Sequence, residues 1–115
     1  MKNFRTLKLL LMKLKMNYKV IISDSAKNDI KDSALWYNKQ QAGLGKRFTK
    51  SIKDCINAIQ LLPESFQIRY KNNRAGIPYK FPYLVIYNVN KDDKTISIIA
   101  VFHSSKNPEK LIGKI

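Results

Sequence analysis

The fold is decided by residues 83–103, which read YLVIYNVNKDDKTISIIAVFH. Both ends of this stretch are rich in β-branched and aromatic residues, which predicts strands at Tyr83–Asn90 and Thr95–His103. The residues NKDDK between them are polar and suit a tight connection. The stretch therefore predicts a β-hairpin, around which the rest of the domain is built.

The residues that precede this hairpin predict two further strands. From Phe66 onward, apolar and polar side chains alternate with a period of two, which predicts a strand over Phe66–Tyr70. Two asparagines at 72–73 suit a turn. Residues Arg74–Lys80 then read as another strand, which Pro78 shortens. The second half of the chain is therefore expected to be all β.

Earlier in the chain, apolar residues recur at helical spacing. Ser23, Asp24 or Ser25 could cap a first helix that ends near the two glycines of 40–45. A second helix follows and stops at Pro63, and two helices with so short a connection form an antiparallel hairpin. The apolar stripes are Ala26, Ile30, Ala34 and Tyr37 in the first helix, and Phe48, Ile52, Cys55, Ile56, Ile59 and Leu62 in the second.

One more strand is predicted ahead of the helices. Residues 18–22 read YKVII and place Tyr18, Val20 and Ile22 on one face. The resulting order is β-α-α-β-β-β. We expect an α+β fold in which the helical hairpin packs on one face of a mostly antiparallel sheet.

The composition excludes several classes of protein. The chain has 115 residues, which suits one domain, and its 22 basic and 8 acidic residues give a net charge of +14. With one cysteine, Cys55, and one histidine, His103, it has neither an intramolecular disulfide nor the ligands for a structural zinc site. It contains no apolar run long enough to span a membrane. No metal and no cofactor are expected.

Residues 1–15 differ from the rest, because they carry five basic residues and no acidic one. They could lie upstream of the true start, since Met12 and Met16 are both plausible starts, or form a basic amphipathic helix on a membrane or a partner. A secretory signal is disfavoured, because lysines interrupt the apolar stretch. We therefore treat 1–15 as a basic extension and 16–115 as the domain, which also ends in a polar tail that could finish in one helical turn.

Few residues of the chain suit catalysis. Cys55 lies on the apolar stripe of the second helix and reads as a core residue. His103 closes the last strand, where it could cap a neighbouring loop or act as an acid or base. Four basic residues could lie on the same side of the sheet as His103 and hold a phosphodiester, and three tyrosines could stack on bases. The basic residues are Arg69, Arg74, Lys80 and Lys106, and the tyrosines are Tyr70, Tyr79 and Tyr83.

Several segments together resemble a known family of proteins. They are KVIISDSAKNDI (19–30), LWYNKQQAGLGKRF (35–48), LLPESF (61–66), KFPYLVIYNV (80–89) and IIAVFHSSKNPEKL (98–111). Within them, the Trp36-Tyr37 pair, the Gly43-Leu44-Gly45 junction and the Phe81-Pro82-Tyr83 strand start are the most specific pieces, together with Phe48 and His103. In this order they resemble the RelE/ParE superfamily of type II toxins, especially its ParE-like branch.

The resemblance implies a cytoplasmic growth inhibitor that a cognate antitoxin holds inactive. ParE-like toxins inhibit DNA gyrase, whereas RelE-like toxins cleave mRNA on the ribosome without a metal ion. The ribonucleases tend to carry a tyrosine near the C-terminus, but here Ser104-Ser105-Lys106 follow His103 and no tyrosine occurs after Tyr87. We therefore favour gyrase inhibition without enzymatic activity and keep the ribonuclease as the alternative. A third possibility is a domain that has lost toxicity and serves as an antitoxin-bound regulatory module.

Each hypothesis assigns its own residues. A ribonuclease would use Arg74, Lys80, His103 and Lys106. Binding of the antitoxin or the target would involve Trp36, Tyr37, Arg69 and Lys106. The antitoxin should present an acidic, helical C-terminal segment to this basic protein, because opposite charges speed encounter, and the two chains should form a hetero-oligomer.

Overall fold

A computed structural model of the protein describes residues 6–7 and 18–106. The elements are β1 (Lys19–Ile22), α1 (Asp24–Gln40), α2 (Leu44–Leu61), β2 (Ile68–Tyr70), β3 (Asn73–Gly76), β4 (Tyr83–Asn90) and β5 (Thr95–His103). The observed order is β-α-α-β-β-β-β, which confirms the α+β class and roughly matches the predicted β-α-α-β-β-β, with four strands after the helices instead of three. The predicted helical turn in the C-terminal tail, and the N-terminal extension apart from residues 6–7, lie outside the described residues.

The five strands form one mixed sheet in the order β1-β5-β4-β3-β2. Strand β1 runs parallel to β5, and the other neighbours are antiparallel. In the central β4–β5 hairpin, Tyr83 lies opposite His103 and Tyr87 lies opposite Ile98, with an extra residue of β5 bulging at Ile99. The sheet is therefore mostly antiparallel, as expected, and its first strand joins its last.

Helix α1 begins at the junction between β1 and β5. The Ser23 hydroxyl accepts a hydrogen bond from the Ala26 N–H at 3.0 Å and donates one to the Ile99 carbonyl at 3.1 Å. Asp29 extends this attachment, because its carboxylate accepts the Val101 N–H at 3.0 Å. Ser23 is thus both the N-cap of α1 and a link to β5.

The two helices meet at a pair of glycines. Gly43 has a φ of 86°, which is strained for any residue with a Cβ, and this conformation turns the chain from α1 into α2. A Cβ on Gly45 would lie 2.2 Å from the Ala34 carbonyl oxygen of α1. The Gly45 N–H is also bound by the Asn38 side-chain oxygen at 2.9 Å. Glycine at 45 therefore permits a backbone contact between the helices that no other residue would allow.

The main core lies between the helical hairpin and the sheet. It contains an aromatic cluster in which the fully buried Phe48 packs against Tyr37, Phe81 and Tyr83, with ring centroids 4.8–5.3 Å apart. Cys55 belongs to the same core, as the apolar stripe predicts. Burial raises the pKa of its thiol to about 11, so the group stays protonated at neutral pH.

Strand β4 is buried on both faces. Its residues 83–87 are all buried, and Leu84 and Ile86 pack with Ala75 and Phe102 in a second cluster, separate from the core under the helices. The unbroken apolar run of β4 agrees with this central position, because a strand covered on one side only would alternate.

The third predicted strand is shorter in the structure than in the sequence analysis. Strand β3 ends at Gly76, whereas the sequence predicts a strand that continues to Lys80. Beyond Gly76 the chain turns, with Lys80 at a positive φ of 67° that is incompatible with a strand. The resulting β3–β4 loop is held to α2 by the Ser51 hydroxyl, which donates to the Tyr79 carbonyl at 2.7 Å.

Candidate functional site

The open face of the helical hairpin forms a groove of about 420 Å³ between α1 and α2. Its walls combine apolar side chains, such as Leu35, with the lysines Lys27, Lys31 and Lys46. Leu35 lines the groove and is 53% exposed, and Trp36, the next residue of α1, lies outside the lining and is 56% exposed. An exposed apolar pair edged by lysines is typical of a surface that binds an amphipathic partner with acidic residues.

The predicted Trp36-Tyr37 pair is divided between surface and core. The Trp36 ring stands at the surface and meets the Tyr37 ring edge-on at 5.1 Å. Tyr37 is half-buried and stacks on Phe48, and burial together with the neighbouring Tyr83 hydroxyl raises its pKa. Tyr37 therefore supports Trp36 from the side of the core, and its role in binding a partner stays a prediction.

Leu35 is a groove residue that the sequence analysis missed. It lies off the apolar stripe of α1, and its only signal is that it makes an apolar pair with Trp36 on the face expected to be polar.

A second cleft, of about 450 Å³, lies beside the end of β5. Its walls include His103, Lys106 and two aspartates of α1, Asp29 and Asp32. The His103 Nδ1 accepts the Ser105 N–H at 3.0 Å and lies 2.7 Å from the Ser105 hydroxyl. Since Nδ1 acts as an acceptor, the proton of the neutral ring is on Nε2. His103 thus caps the turn after β5, one of the two roles that the sequence allows.

The Arg74 side chain forms hydrogen bonds to the backbone of the protein itself. Its Nη1 donates to the carbonyl oxygens of Phe66 at 2.6 Å and Glu64 at 3.1 Å, which fastens the α2–β2 connection to β3. Nearby, the buried Tyr87 hydroxyl donates to the Pro63 carbonyl at 2.7 Å, and burial raises the pKa of Tyr87 to about 12. Both side chains hold the same connection, so the Arg74 donors point to backbone rather than to a cleft.

The sheet separates the residues that a ribonuclease would have to combine. Arg74 pairs with Tyr87 and His103 pairs with Tyr83, on opposite sides of β4. These positions on β4 are four residues apart, which corresponds to roughly 13 Å along a strand. Lys80 lies in the β3–β4 loop. Of the four residues, His103 and Lys106 share a cleft, and the structure does not bring the others to it.

The remaining predicted residues are also spread over the surface. Arg69 lies in β2, three strands away from β5, and it does not line the cleft that contains His103 and Lys106. The proposal that three tyrosines stack on bases is wrong for Tyr83, which is 7% exposed because it belongs to the core. Tyr70 is half-buried against the second cluster. Tyr79 is 77% exposed and remains available.

Neither a metal site nor a membrane span is found in the described part of the chain. Among residues 6–7 and 18–106, no three His, Cys, Asp or Glu side chains come together as ligands. None of the helices over the same residues has the length and apolar character to cross a bilayer.

Comparisons with known proteins agree with this architecture. A solved structure described as a chromosomal ParDE TA system from P. aeruginosa matches with a TM-score of 0.64 at 13% identity, covering 75% of this chain and 95% of that one. The archaeal RelE-RelB complex from Pyrococcus horikoshii OT3 matches with a TM-score of 0.54 at 19% identity, covering 80% and 100%. At these identities the likeness shows the fold. No curated protein matches the chain.

A family profile is more specific than either structure. The profile described as ParE toxin of type II toxin-antitoxin system, parDE, matches residues 20–108, which include every helix and nearly every strand residue described above. The chain therefore belongs to the ParE toxin family of type II toxin–antitoxin systems.

Proposed function

We propose that this protein inhibits growth in the cytoplasm by binding DNA gyrase, and that a cognate antitoxin neutralises it. The observation that carries the proposal is the separation of Arg74, Lys80 and His103 described above. Metal-free cleavage of a phosphodiester requires a base, an acid and a cation within hydrogen-bond reach of one phosphate. A toxin that acts by binding needs none of these, so the dispersed residues favour binding over catalysis.

The antitoxin is expected in the groove of the helical hairpin. A helical segment could bury Leu35 and Trp36 under its apolar face and direct its acidic residues toward Lys27, Lys31 and Lys46. The two structural neighbours are described as ParDE and RelE-RelB assemblies, which supports a partner of this kind. The exposed Arg69 and Lys106 supply further positive charge for an acidic chain that wraps around the protein.

The target is tested by comparing two reactions of the purified toxin. We expect it to inhibit supercoiling by purified gyrase, and to leave mRNA intact in a translating extract, where primer extension detects cleavage. Intact supercoiling together with codon-specific cleavage would reject the gyrase proposal. Strong expression with no growth defect would reject both activities and favour a regulatory module.

The proposed antitoxin surface at the groove is tested by truncating Trp36, the exposed neighbour of the groove residue Leu35. We expect Trp36→Ala to weaken binding of the antitoxin about tenfold or more, because partly buried tryptophans dominate many interfaces. Ile68→Ala is the matched control, since Ile68 is exposed to a similar extent at 53% but lies in β2. Equal effects of the two substitutions would place the antitoxin elsewhere.

One observation favours the ribonuclease as a second candidate. His103 and Lys106 line the same cleft, so an imidazole and an ammonium group could act together on a phosphate. If the protein cleaves mRNA, His103→Ala should abolish cleavage and lower the unfolding midpoint only modestly, because the ring is half-buried, although it loses its hydrogen bond to the Ser105 N–H.

A further inference from the structure

The two helices of the hairpin differ in charge. Helix α1 carries three lysines and three aspartates, whereas α2 carries four basic residues and the single acid Asp54. That acid is already paired with Lys50, at 3.0 Å. The other basic residues of α2 are Lys46, Arg47 and Lys53, and all are exposed. The positive charge of the hairpin is therefore concentrated on α2.

Basic residues of α2 border a cleft of about 570 Å³ that faces the β3–β4 loop. Arg47 and Lys50 form one wall, and Tyr79 and Lys80 form the other. The Lys80 Nζ lies 5.4 Å from the centre of the Tyr79 ring. The cleft, here called the α2 cleft, is also lined by Asp54, which pairs with Lys50, so it combines the uncompensated charges of Arg47 and Lys80 with a 77% exposed aromatic ring.

The exposed Tyr79 ring sits on an anchored loop. Ser51 of α2 holds the Tyr79 carbonyl at 2.7 Å, and Phe81 packs edge-on against the buried Phe48 at 5.3 Å. Pro78, on the other side of Tyr79, is buried. Because the backbone on both sides of Tyr79 is held, little backbone freedom is lost when a flat partner stacks on the ring.

We propose that the α2 cleft binds a single-stranded nucleic acid. Arg47 and Lys80 would contact the phosphates, and a base would stack on Tyr79, the combination that sequence-tolerant single-strand sites use. An acidic peptide would gain from the cations, but it would not need the exposed ring. The proposal concerns a surface separate from the antitoxin groove and from the His103 cleft, and it stands whether or not the protein inhibits gyrase.

Binding is measured with the full chain and fluorescein-labelled single strands of about eight nucleotides, a typical size for a small site. Parallel DNA and RNA strands identify which nucleic acid is preferred. We expect Tyr79→Ala to weaken binding about tenfold and Tyr79→Phe to leave it unchanged, because base–aromatic stacking does not require the hydroxyl. A hairpin duplex of equal charge should bind more weakly, since its bases are already stacked.

The charge contribution is isolated by a pair of double variants. Arg47→Gln/Lys80→Gln removes the two uncompensated charges of the cleft and should lower the slope of log affinity against log salt by about 1.4. The control Lys19→Gln/Lys94→Gln removes two charges near the β4–β5 turn, at the far end of β4 from the β3–β4 loop. It should leave the slope nearly unchanged.

Three results would overturn the proposal. Equal losses in the two double variants would mean that the overall charge of the protein attracts nucleic acid without a site. If the Tyr79→Ala variant bound single strands as tightly as the wild type, a base could not be stacking on Tyr79. Competition by a poly-glutamate peptide as effective as that by a single strand would assign the cleft to an acidic protein segment.

Discussion

The close contact at Gly45 makes a quantitative prediction about the helical hairpin. In Gly45→Ala the new Cβ would start 2.2 Å from the Ala34 carbonyl oxygen, whereas ordinary contact begins at 3.4 Å. The helices would therefore have to separate by about 1.2 Å, because a backbone oxygen cannot rotate away as a side chain can. The hydrogen bond from the Gly45 N–H to Asn38 would be strained by the same movement.

The expected loss of stability follows from these contacts. Overpacking costs about 1–3 kcal/mol, and a weakened hydrogen bond about 1 kcal/mol more. The better helix propensity of alanine offsets at most about 1 kcal/mol of this. We expect the free energy of unfolding to fall by about 2–3 kcal/mol and Tm to fall by on the order of 10 °C. Urea denaturation and thermal melting, both followed by circular dichroism, measure the two quantities.

Gly43→Ala is the control for this experiment. An added Cβ at position 43 meets nothing within 4 Å, so its effect comes only from the positive φ of 86°. That strain costs about 1 kcal/mol. If Gly45→Ala were as stable as the wild type, or no less stable than Gly43→Ala, the helices could not be packed as closely as described here.

Four further predictions concern stability and reactivity. Ser23→Ala should lower the free energy of unfolding by about 1–2 kcal/mol in urea titrations, because it removes both the cap of α1 and the bond to Ile99; a loss no larger than that of an exposed Ser65→Ala would contradict this role. Lys94→Gly should raise the free energy of unfolding by up to about 1 kcal/mol, because Lys94 has a positive φ of 54° that glycine adopts without strain. Any decrease in that free energy would contradict the idea that Lys94 is strained. The Cys55 thiol should react with a disulfide reagent at pH 8 far more slowly in the native protein than in urea, and fast native labelling would contradict its burial. Because its folded pKa is raised from 9.0 to about 11, its contribution to stability is complete below pH 9 and should be lost as the pH rises toward 11.

Much of the fold can be predicted from local patterns in the sequence. The β4–β5 hairpin appears at its predicted bounds, since a buried, β-branched run and a polar turn leave little alternative. The end of β3 could not be predicted, because the positive φ of Lys80 depends on the anchoring of the loop to Ser51. The parallel pairing of β1 with β5 also lies beyond a local pattern, since it joins residues far apart in the chain.

The candidate sites were harder to predict than the elements. Sequence spacing identifies Trp36 and His103 as unusual positions, but it contains no information about strand order. Strand order is what separates Arg69 and Arg74 from His103. The α2 cleft depends on a turn that brings Tyr79 beside Arg47, and the one local signal was the series of basic residues along a single helix.

The pairing of β1 with β5 has a consequence for how the protein folds during its synthesis on the ribosome. Among the described strands β1 is synthesised first, but it pairs with β5, which is synthesised last. The Ser23 hydroxyl likewise cannot form its hydrogen bond until the Ile99 carbonyl, 76 residues later, has been synthesised. An incomplete chain released before β5 would lack this neighbour and leave β4 without one of its two flanking strands. Because domains fold as cooperative units, such fragments should remain unstructured and harmless. The native fold, and any activity that depends on it, would then appear only when translation of the domain is nearly finished.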